Sequence, residues 1–371
     1  MAKTVTGHLI TLFLLQASLC MSYGEAEVKG MFVFGSSLVD NGNNNFLRNS
    51  TARADYPPYG IDFPLGPSGR FSNGRNPIDV LGELLKLPSL IPPFADPRTR
   101  GPRIANGVNY ASGGSGILDQ TGSITGEVMS LSQQVRDFKT RTLPDFAAQL
   151  ELSGHRGAYK HYLSKYLFVV GTGGNDYLLN YFIPGEKKRP ALRQFTKALI
   201  STLSGQLKML YDLGARKFLL FSIQTMGCVP VVRSNSRITN GSCVEAMNKA
   251  ALLFNRHLKS LVHSTKTQMP GSKMVYINSY KIIRDIIIDP NQNGFSDTRK
   301  ACCELSSRRE GGNGILCRKG GRACGHRAAH VFFDGLHPTD AVNVRIAQKA
   351  YGSNLKAEAY PINVKQLARS T

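Results

Sequence analysis

Short apolar runs alternate with longer amphipathic segments over most of the chain. Five of the runs have the length and composition of buried strands: residues 31–34, 108–111, 166–170, 217–223 and 273–277. Six segments carry helical spacing or a helix-start signal: residues 77–87, 131–139, 143–152, 189–213, 242–264 and 338–350. This alternation predicts one doubly wound, mainly parallel sheet, and we expect the last helix to close the chain.

Three of the predicted strands run directly into turns that are rich in glycine and polar residues. The turns are residues 35–45, 112–116 and 171–176. Parallel strands place their carboxyl ends at one edge of a sheet, which is where ligands bind in open α/β folds. We therefore expect the three turns to meet and to form a binding or catalytic site.

The N-terminus has the layout of a secretory signal peptide. Lys3 precedes an apolar run at residues 9–19, and small residues follow up to position 24. A membrane-spanning helix is the alternative, but the run is shorter than the roughly 20 apolar residues that a span needs. We predict that residues 1–24 are removed and that residues 25–371 form a single domain, since no repeat or linker divides them. The mature protein would then be extracellular, for example in the cell wall.

The number and spacing of cysteines agree with an extracellular protein. Beyond Cys20, six cysteines remain, an even number that favours disulfides: Cys228, Cys243, Cys302, Cys303, Cys317 and Cys324. We expect Cys228 to pair with Cys243 and the other four to form a compact group. Zinc is the alternative for that group because His326 and His330 are near, but no C-x-x-C pair is present, so no metal is predicted.

Two further features concern the surface. Asn49 and Asn240 each begin an N-x-S/T sequon, the acceptor for N-linked glycosylation. The formal net charge is +21, and residues 296–330 hold eight Lys or Arg against three acids, with no aromatic residue. Such a surface fits an anionic polysaccharide or a membrane surface. Nucleic acid is not expected as a partner, because the stretch lacks aromatic residues for base stacking. A solvated basic face without a dedicated partner explains the charge equally well.

Asp334 and His337, near the C-terminus, have the spacing of an orienting acid and a base. The carboxylate can hold the imidazole, whose other nitrogen can then take a proton from a serine. Gly113, Gly114 and Asn175 offer backbone and amide N–H groups that could bind an oxyanion. Each feature has a purely structural alternative: Asp334 would cap a turn, and the other residues would stabilise tight turns or begin a helix.

Motifs of other enzyme classes are absent from the sequence. No Lys-Ser/Thr pair follows a glycine-rich phosphate loop, and no G-x-G-x-x-G joins a strand to a helix. The G-x-S-x-G elbow of standard α/β-hydrolases is also missing, because Val39 stands two residues after Ser37. A nucleotide-binding enzyme is therefore disfavoured.

Four blocks in chain order resemble the motifs of the plant GDSL esterase/lipase family, over nearly the whole chain. They are Phe34-Gly-Ser-Ser-Leu-Val-Asp-Asn-Gly-Asn-Asn-Asn45, Asn109-Tyr-Ala-Ser-Gly-Gly-Ser-Gly116, Gly173-Gly-Asn-Asp176 and Asp334-Gly-Leu-His-Pro338. The resemblance implies a flavodoxin-like three-layer α/β/α sandwich with a central, mainly parallel sheet, and no metal or cofactor.

The same resemblance assigns roles to individual residues. Ser37 falls on the nucleophile, while Asp334 and His337 complete a catalytic triad. Gly113 or Gly114 and the Asn175 amide fall on the oxyanion hole. Two positions depart from the family: Ser36 stands where the Gly-Asp-Ser-Leu motif has Asp, and Glu304 follows Cys302 and Cys303 where the family often has Gly. We expect activity to survive, since Ser36 neighbours the nucleophile but is not a triad member.

The sequence thus predicts a secreted serine esterase or lipase that cleaves a small ester or a lipid through an acyl-enzyme. An acyltransferase in extracellular polyester formation would use the same residues with a hydroxyl acceptor in place of water. A basic, wall-associated binding protein with a degenerate site is the alternative outside enzymes, and its support is the net charge and Ser36.

Overall fold

The computed structural model describes residues 27–150, 157–183, 189–235, 242–307 and 312–370. The predicted signal peptide and the Asn240 glycosylation acceptor lie outside these ranges.

The chain builds a central five-stranded sheet and a separate two-stranded sheet. The strands are β1 (Met31–Gly35), β2 (Leu167–Gly171), β3 (Lys217–Phe221), β4 (Lys273–Ile277), β5 (Asp297–Ala301), β6 (His330–Phe332) and β7 (Ala359–Tyr360). The central sheet has the order β1-β2-β3-β4-β7, in which the first four strands are parallel and β7 is antiparallel to β4. β5 and β6 form the two-stranded sheet. The predicted, mainly parallel sheet is confirmed.

The predicted strand at residues 108–111 is not a regular strand, although it continues the sheet beyond β1. The Tyr110 N–H donates to the Val33 carbonyl at 2.7 Å, and Asn109 forms a parallel bridge with Val33. On its other side Asn109 bridges Pro93, which has no N–H group to extend a ladder. If this segment is counted as the second strand, because it follows β1 in the sequence, then β2, β3 and β4 become the third, fourth and fifth. The order of these five strands across the sheet is 2-1-3-4-5, as in flavodoxin-like folds.

Eleven helices accompany the strands in the described part of the chain. They are α1 (Pro77–Leu84), α2 (Leu131–Asp137), α3 (Leu143–Gln149), α4 (Tyr159–Leu163), α5 (Gly174–Asp176), α6 (Leu192–Asp212), α7 (Pro230–Asn235), α8 (Glu245–Gln268), α9 (Ser279–Ile288), α10 (Asp340–Gly352) and α11 (Val364–Arg369). None of them combines the length and the apolarity that crossing a membrane requires.

Helices cover both faces of the central sheet, because side chains alternate along each strand. On β1, Phe32 and Phe34 pack into one buried cluster, and Met31 and Val33 pack into the other. Apolar residues of α2, α6 and α8 complete the first cluster, and those of α1, α9, α10 and α11 complete the second. The result is the three-layer α/β/α sandwich that the resemblance implied.

Most predicted helices are present with shorter or shifted ends. Asn76 caps the start of α1: its side chain accepts a hydrogen bond from the Asp79 N–H, and the Asp79 carboxylate accepts one from the Asn76 N–H. The helix ends before Lys86, which takes a φ of 59°. The expectation that the helix at residues 338–350 closes the chain is wrong: β7 and α11 follow, and Asn363 caps α11. α9 was not predicted either.

Three disulfides join the six cysteines, as expected: Cys228–Cys243, Cys302–Cys324 and Cys303–Cys317. The adjacent residues Cys302 and Cys303 thus bind different partners. Tyr59 and Phe333 pack against the Cys303–Cys317 pair in a small buried cluster. This cluster connects the cysteine group to the segment that carries Asp334.

Candidate active site

The turns that follow β1 and β2 meet the segment 112–116 and the turn before α10 at one edge of the sheet. A cleft of about 1000 Å³ opens there, and Ser37, Gly114, Asn175 and His337 all line it. The structure therefore brings together residues that the sequence motifs singled out in four distant parts of the chain.

The turn that carries Ser37 is fixed by the backbone at the end of β1. Gly35 has a φ of 141°, and a Cβ atom there would lie 2.2 Å from the Gly171 carbonyl oxygen, so no side chain fits. The Gln134 side chain accepts from the Gly35 N–H at 2.7 Å and donates to the Gly35 carbonyl at 2.8 Å. Ser37 then begins a single 3₁₀ turn, Ser37–Val39. Its side chain is 7% exposed and reaches the cleft.

Ser37, His337 and Asp334 form a continuous hydrogen-bonded chain. Ser37 Oγ lies 2.7 Å from His337 Nε2, and His337 Nδ1 lies 2.8 Å from Asp334 Oδ2. Asp334 is fully buried, and its Oδ1 accepts from the Leu336 and His337 N–H groups at 2.8 and 2.7 Å. The carboxylate is therefore fixed in position and holds the imidazole with its other nitrogen toward the serine hydroxyl.

Tyr59 makes a further contact with this chain. Its hydroxyl donates to Asp334 Oδ2 at 2.7 Å and accepts from the Cys317 N–H at 3.1 Å. Burial and the nearby Asp334 carboxylate raise the pKa of Tyr59 well above its usual value, so the hydroxyl keeps its proton. Because Cys317 is bonded to Cys303, the cysteine group supports the orientation of Tyr59.

Asn175 and Gly114 offer donors toward the cleft, whereas Gly113 does not. Asn175 Nδ2 donates to the Ser115 carbonyl at 2.9 Å, and its second N–H remains for a substrate oxygen. Gly114 lines the cleft with a φ of 83°, and no hydrogen bond between described residues uses its N–H group. The Gly113 N–H instead donates to Asp40 Oδ2 at 2.9 Å. Of the two glycines, the geometry favours Gly114.

Asp40 ties the turn that carries Ser37 to the glycine turn, residues 112–116. It is fully buried, and it accepts from the Gly42, Asn43 and Gly113 N–H groups at 2.8, 2.9 and 2.9 Å. Burial raises the pKa of Asp40 to about 6, although these three hydrogen bonds and the charge of Arg70 act in the opposite direction. The two carboxylate oxygens satisfy three backbone donors at once.

Asp176 performs the same task on the other side of the glycine turn. It is fully buried next to Asn175, and it accepts from the Ile117 and Leu118 N–H groups at 2.9 and 3.0 Å and from the Thr121 hydroxyl at 2.8 Å. Burial raises its pKa to about 6 as well. The segment from Gly113 to Leu118, which contains Gly114, is therefore held by a buried carboxylate at each end.

Ser36 contributes backbone contacts. Its N–H donates to the Gly171 carbonyl at 3.0 Å, and its carbonyl accepts from the Val39 N–H at 3.1 Å. No hydrogen bond of its side chain occurs among the described residues. An acid at position 36 is thus not needed to hold the turn, because the hydrogen bonds of the turn are made by backbone atoms.

Of the four supporting residues, two have a signal in the sequence and two have none. Asp40 and Asp176 lie inside the first and third motif blocks, where a carboxylate close to a predicted site residue indicates a supporting role. Tyr59 and Gln134 are distant from every block and are recognised only in three dimensions. Of the two predicted glycosylation acceptors, Asn49 is exposed beside Arg48 and Ser50, which line the cleft.

The chain also matches known proteins over most of its length. The family model of GDSL-like lipase/acylhydrolases matches residues 31–350. GDSL esterase/lipase At1g29670 of Arabidopsis thaliana is 41% identical over 355 residues, which cover 95% of this chain and 94% of that protein. GDSL esterase/lipase At1g71250 of the same plant is 42% identical over 350 residues, which cover 93% and 90%. A solved structure of a mutant acetyl-xylooligosaccharide esterase, Axe2 of Geobacillus Stearmophilus, is 14% identical, with a TM-score of 0.39, and covers 86% of this chain and 91% of that chain.

The matched region contains all four motif blocks and the complete central sheet up to β4. Because identity of about two residues in five extends over almost the whole of these relatives, the likeness is not confined to the motifs. The chain belongs to the GDSL-like lipase/acylhydrolase family and is a carboxylic ester hydrolase.

Proposed function

We propose that Ser37 is the nucleophile of a Ser-His-Asp triad. His337 Nε2 takes the Ser37 proton as the hydroxyl attacks the ester carbonyl, and it then passes that proton to the departing alkoxide. Asp334 keeps the ring in the orientation that this transfer needs and stabilises the imidazolium. Water then attacks the acyl-enzyme by the same route and releases the acid. The observation that carries the proposal is the unbroken chain of 2.7 and 2.8 Å hydrogen bonds from Ser37 to Asp334.

The negative oxygen that forms during attack is bound by Asn175 Nδ2 and the Gly114 N–H. Both groups are held in position before substrate arrives. Asn175 donates to the Ser115 carbonyl, and Gly114 lies in a turn whose two ends are hydrogen-bonded to Asp40 and Asp176. Preorganised donors of this kind lower the barrier because they need not reorient during the reaction.

We further propose that the protein is secreted after removal of residues 1–24. Three disulfides in one chain support this, since such bonds persist in oxidising compartments. The net charge of +21 supports a site of action near polyanions, such as an acidic polysaccharide or an anionic membrane surface.

Substitution of Ser37 tests the triad. We expect Ser37→Ala to lower kcat/KM for nitrophenyl acetate by about a thousandfold or more, because no other hydroxyl is hydrogen-bonded to His337 Nε2 among the described residues. Ser36→Ala is the matched control, one residue away, and it should keep most of the activity. Hydrolysis by Ser37→Ala at the wild-type rate would exclude Ser37 as nucleophile.

A further inference from the structure

Two cavities of very different size meet at Ser37. Ser37, Asn175, Leu336 and His337 line both of them. One is the cleft of about 1000 Å³, and the other is a recess of about 60 Å³. An ester also has two sides, the acyl group and the alcohol, which separate at the carbon that the serine attacks. Two cavities that meet at the serine offer one space for each side of the scissile bond.

The recess is small and mainly apolar. Its walls lie at the carboxyl ends of β2 and β3 and include Leu178, Phe221, Ile223 and Met226. The last three are at most 3% exposed and belong to the two main hydrophobic clusters, so the recess cannot widen without disturbing the core. A volume of about 60 Å³ equals about two water-sized groups, which is the size of a short acyl chain.

The cleft differs from the recess in its charge, although apolar side chains such as Ile124, Leu179 and Leu316 also line it. Among the described residues that line it, four are cationic and none is acidic: Arg48, Arg53, Arg318 and Lys319. The other lining groups include the hydroxyls of Ser50, Thr51 and Ser306 and the Asn313 amide. The cleft thus offers positive charge together with hydrogen-bonding groups, a combination that suits an anionic, hydroxyl-rich molecule.

Neighbouring acids offset this charge only in part. Arg53 lies 4.0 Å from the Asp55 carboxylate. Arg318 is paired with Glu304, which is also bonded to Arg322, so one carboxylate serves two guanidinium groups. Arg48 and Lys319 are exposed, and the Lys319 ammonium lies 5.1 Å from the centre of the Tyr56 ring. Neither has an acidic partner among the described residues. These two side chains are the ones that remain for a substrate anion.

We propose that the substrate is a short-chain acyl ester of an anionic carbohydrate. The acyl group lies in the recess, and the sugar lies in the cleft with its carboxylates facing Arg48 and Lys319. Ser37 Oγ loses its proton to His337 and bonds to the acyl carbon, the bond from that carbon to the sugar oxygen breaks, and His337 passes the proton to that oxygen, which leaves as a hydroxyl. Water then releases the short acid. This assignment rests on the proposed role of Ser37.

A chain-length series tests the recess. For wild-type protein we expect kcat/KM to fall about tenfold or more from nitrophenyl acetate to nitrophenyl octanoate. Gly174→Ala adds a methyl group to the recess wall without a clash, since its Cβ would lie 3.8 Å from Ile223. We expect this variant to lower the butyrate-to-acetate ratio of kcat/KM about tenfold. Gly205→Ala, an exposed helix position with nothing within 4 Å, is the control that keeps the wild-type ratio.

A pair of polymers tests the cleft. Acetate release is measured from acetylated polygalacturonate, which is anionic, and from acetylated mannan, which is neutral. We expect the wild-type protein to prefer the anionic polymer, and the Arg48→Gln/Lys319→Gln double variant to lower the anionic-to-neutral ratio about tenfold. Lys356→Gln removes an exposed charge that lines neither cavity and should keep the ratio. Added salt should reduce the preference of the wild-type protein.

The outcomes separate this inference from the proposed mechanism. Ser37-dependent hydrolysis that is fastest with octanoate, or that favours the neutral polymer, would overturn the substrate assignment and leave the triad intact. Faster release of fatty acid from phosphatidylglycerol vesicles than of acetate from polygalacturonate would assign a lipid substrate instead. Absence of Ser37-dependent hydrolysis with every ester would overturn both proposals.

Discussion

Asp334 accepts hydrogen bonds from His337 Nδ1, from two backbone N–H groups and from the Tyr59 hydroxyl. At the scale of single residues, motif spacing was sufficient to locate Ser37, Asn175 and His337, which the structure brings to one cleft. It could not locate Tyr59, whose partner is 275 positions away in sequence. Spacing also could not separate Gly113 from Gly114, because that choice depends on where Asp40 lies.

Replacing Tyr59 tests whether its hydroxyl acts on the triad. In Tyr59→Phe the Asp334 carboxylate loses one donor, so it holds a protonated His337 more strongly. We expect kcat/KM to fall about tenfold and the acidic limb of its pH profile to move to higher pH. Tyr56→Phe removes a neighbouring hydroxyl that donates to the Cys317 carbonyl, and it should leave that limb in place. A loss of activity in Tyr59→Phe with an unmoved limb would mean that Tyr59 only supports the fold.

Asp40 should give stability an unusual pH dependence. Its pKa is raised from 3.8 to about 6 in the folded protein, so the folded state holds the proton more tightly than the unfolded chain. The resulting stabilisation is complete below about pH 4 and is lost as the pH rises through about 6, a change of about 3 kcal/mol. The difference in unfolding free energy between wild type and Asp40→Asn should therefore decrease over this range.

Urea unfolding of both proteins at several pH values measures this difference. Asp62→Asn is a control in which the pH dependence should be reversed. Hydrogen bonds from Arg327 lower the pKa of Asp62, so the stabilisation that Asp62 provides is lost as the pH falls. The raised pKa of Asp40 would be contradicted if the unfolding free energy of the wild type, minus that of Asp40→Asn, stayed level or increased with pH.

At the scale of secondary-structure elements, helical patterning predicted the long helices α6 and α8, and short apolar runs predicted the buried strands β1 to β4. Short elements were missed where tertiary contacts determine the structure. β7 is two residues long and exists through its pairing with β4, and α11 packs beneath the sheet after an Asn363 cap. The segment at 108–111 has strand-like composition, but Pro93 beside it interrupts the ladder.

The disulfides offer a test at this scale, because two of them close loops of similar length. Cys303–Cys317 spans 14 residues and Cys228–Cys243 spans 15, so loss of either should destabilise the protein by a similar amount, about 3 kcal/mol.

The double Ala variant at 303 and 317 should also lower kcat/KM about tenfold, because the Cys317 N–H orients Tyr59. The double Ala variant at 228 and 243 should lose less activity. Equal losses of activity at a temperature where both variants are folded would contradict this connection.

At the scale of the whole molecule, the sheet order explains why the site lies where it does. The chain crosses from one side of β1 to the other between the segment at 108–111 and β2, and the crevice at such a switch point is where α/β proteins bind ligands. Alternating strands and helices predicted a parallel sheet, but they do not specify strand order. The family resemblance implied the flavodoxin-like fold class, and the order itself is seen only in the structure, because long-range pairing leaves no local signal in the sequence.

Labelling with a fluorophosphonate tests the central claim most directly, since this reagent bonds covalently to a serine that an adjacent base activates. We expect the intact, folded protein to take up one equivalent, and peptide mass spectrometry to place it on Ser37. Ser37→Ala should take up none, while Ser36→Ala should react like the wild type. A wild-type protein that remains unlabelled, or that carries the label on a different serine, would contradict the assignment of Ser37 as the nucleophile.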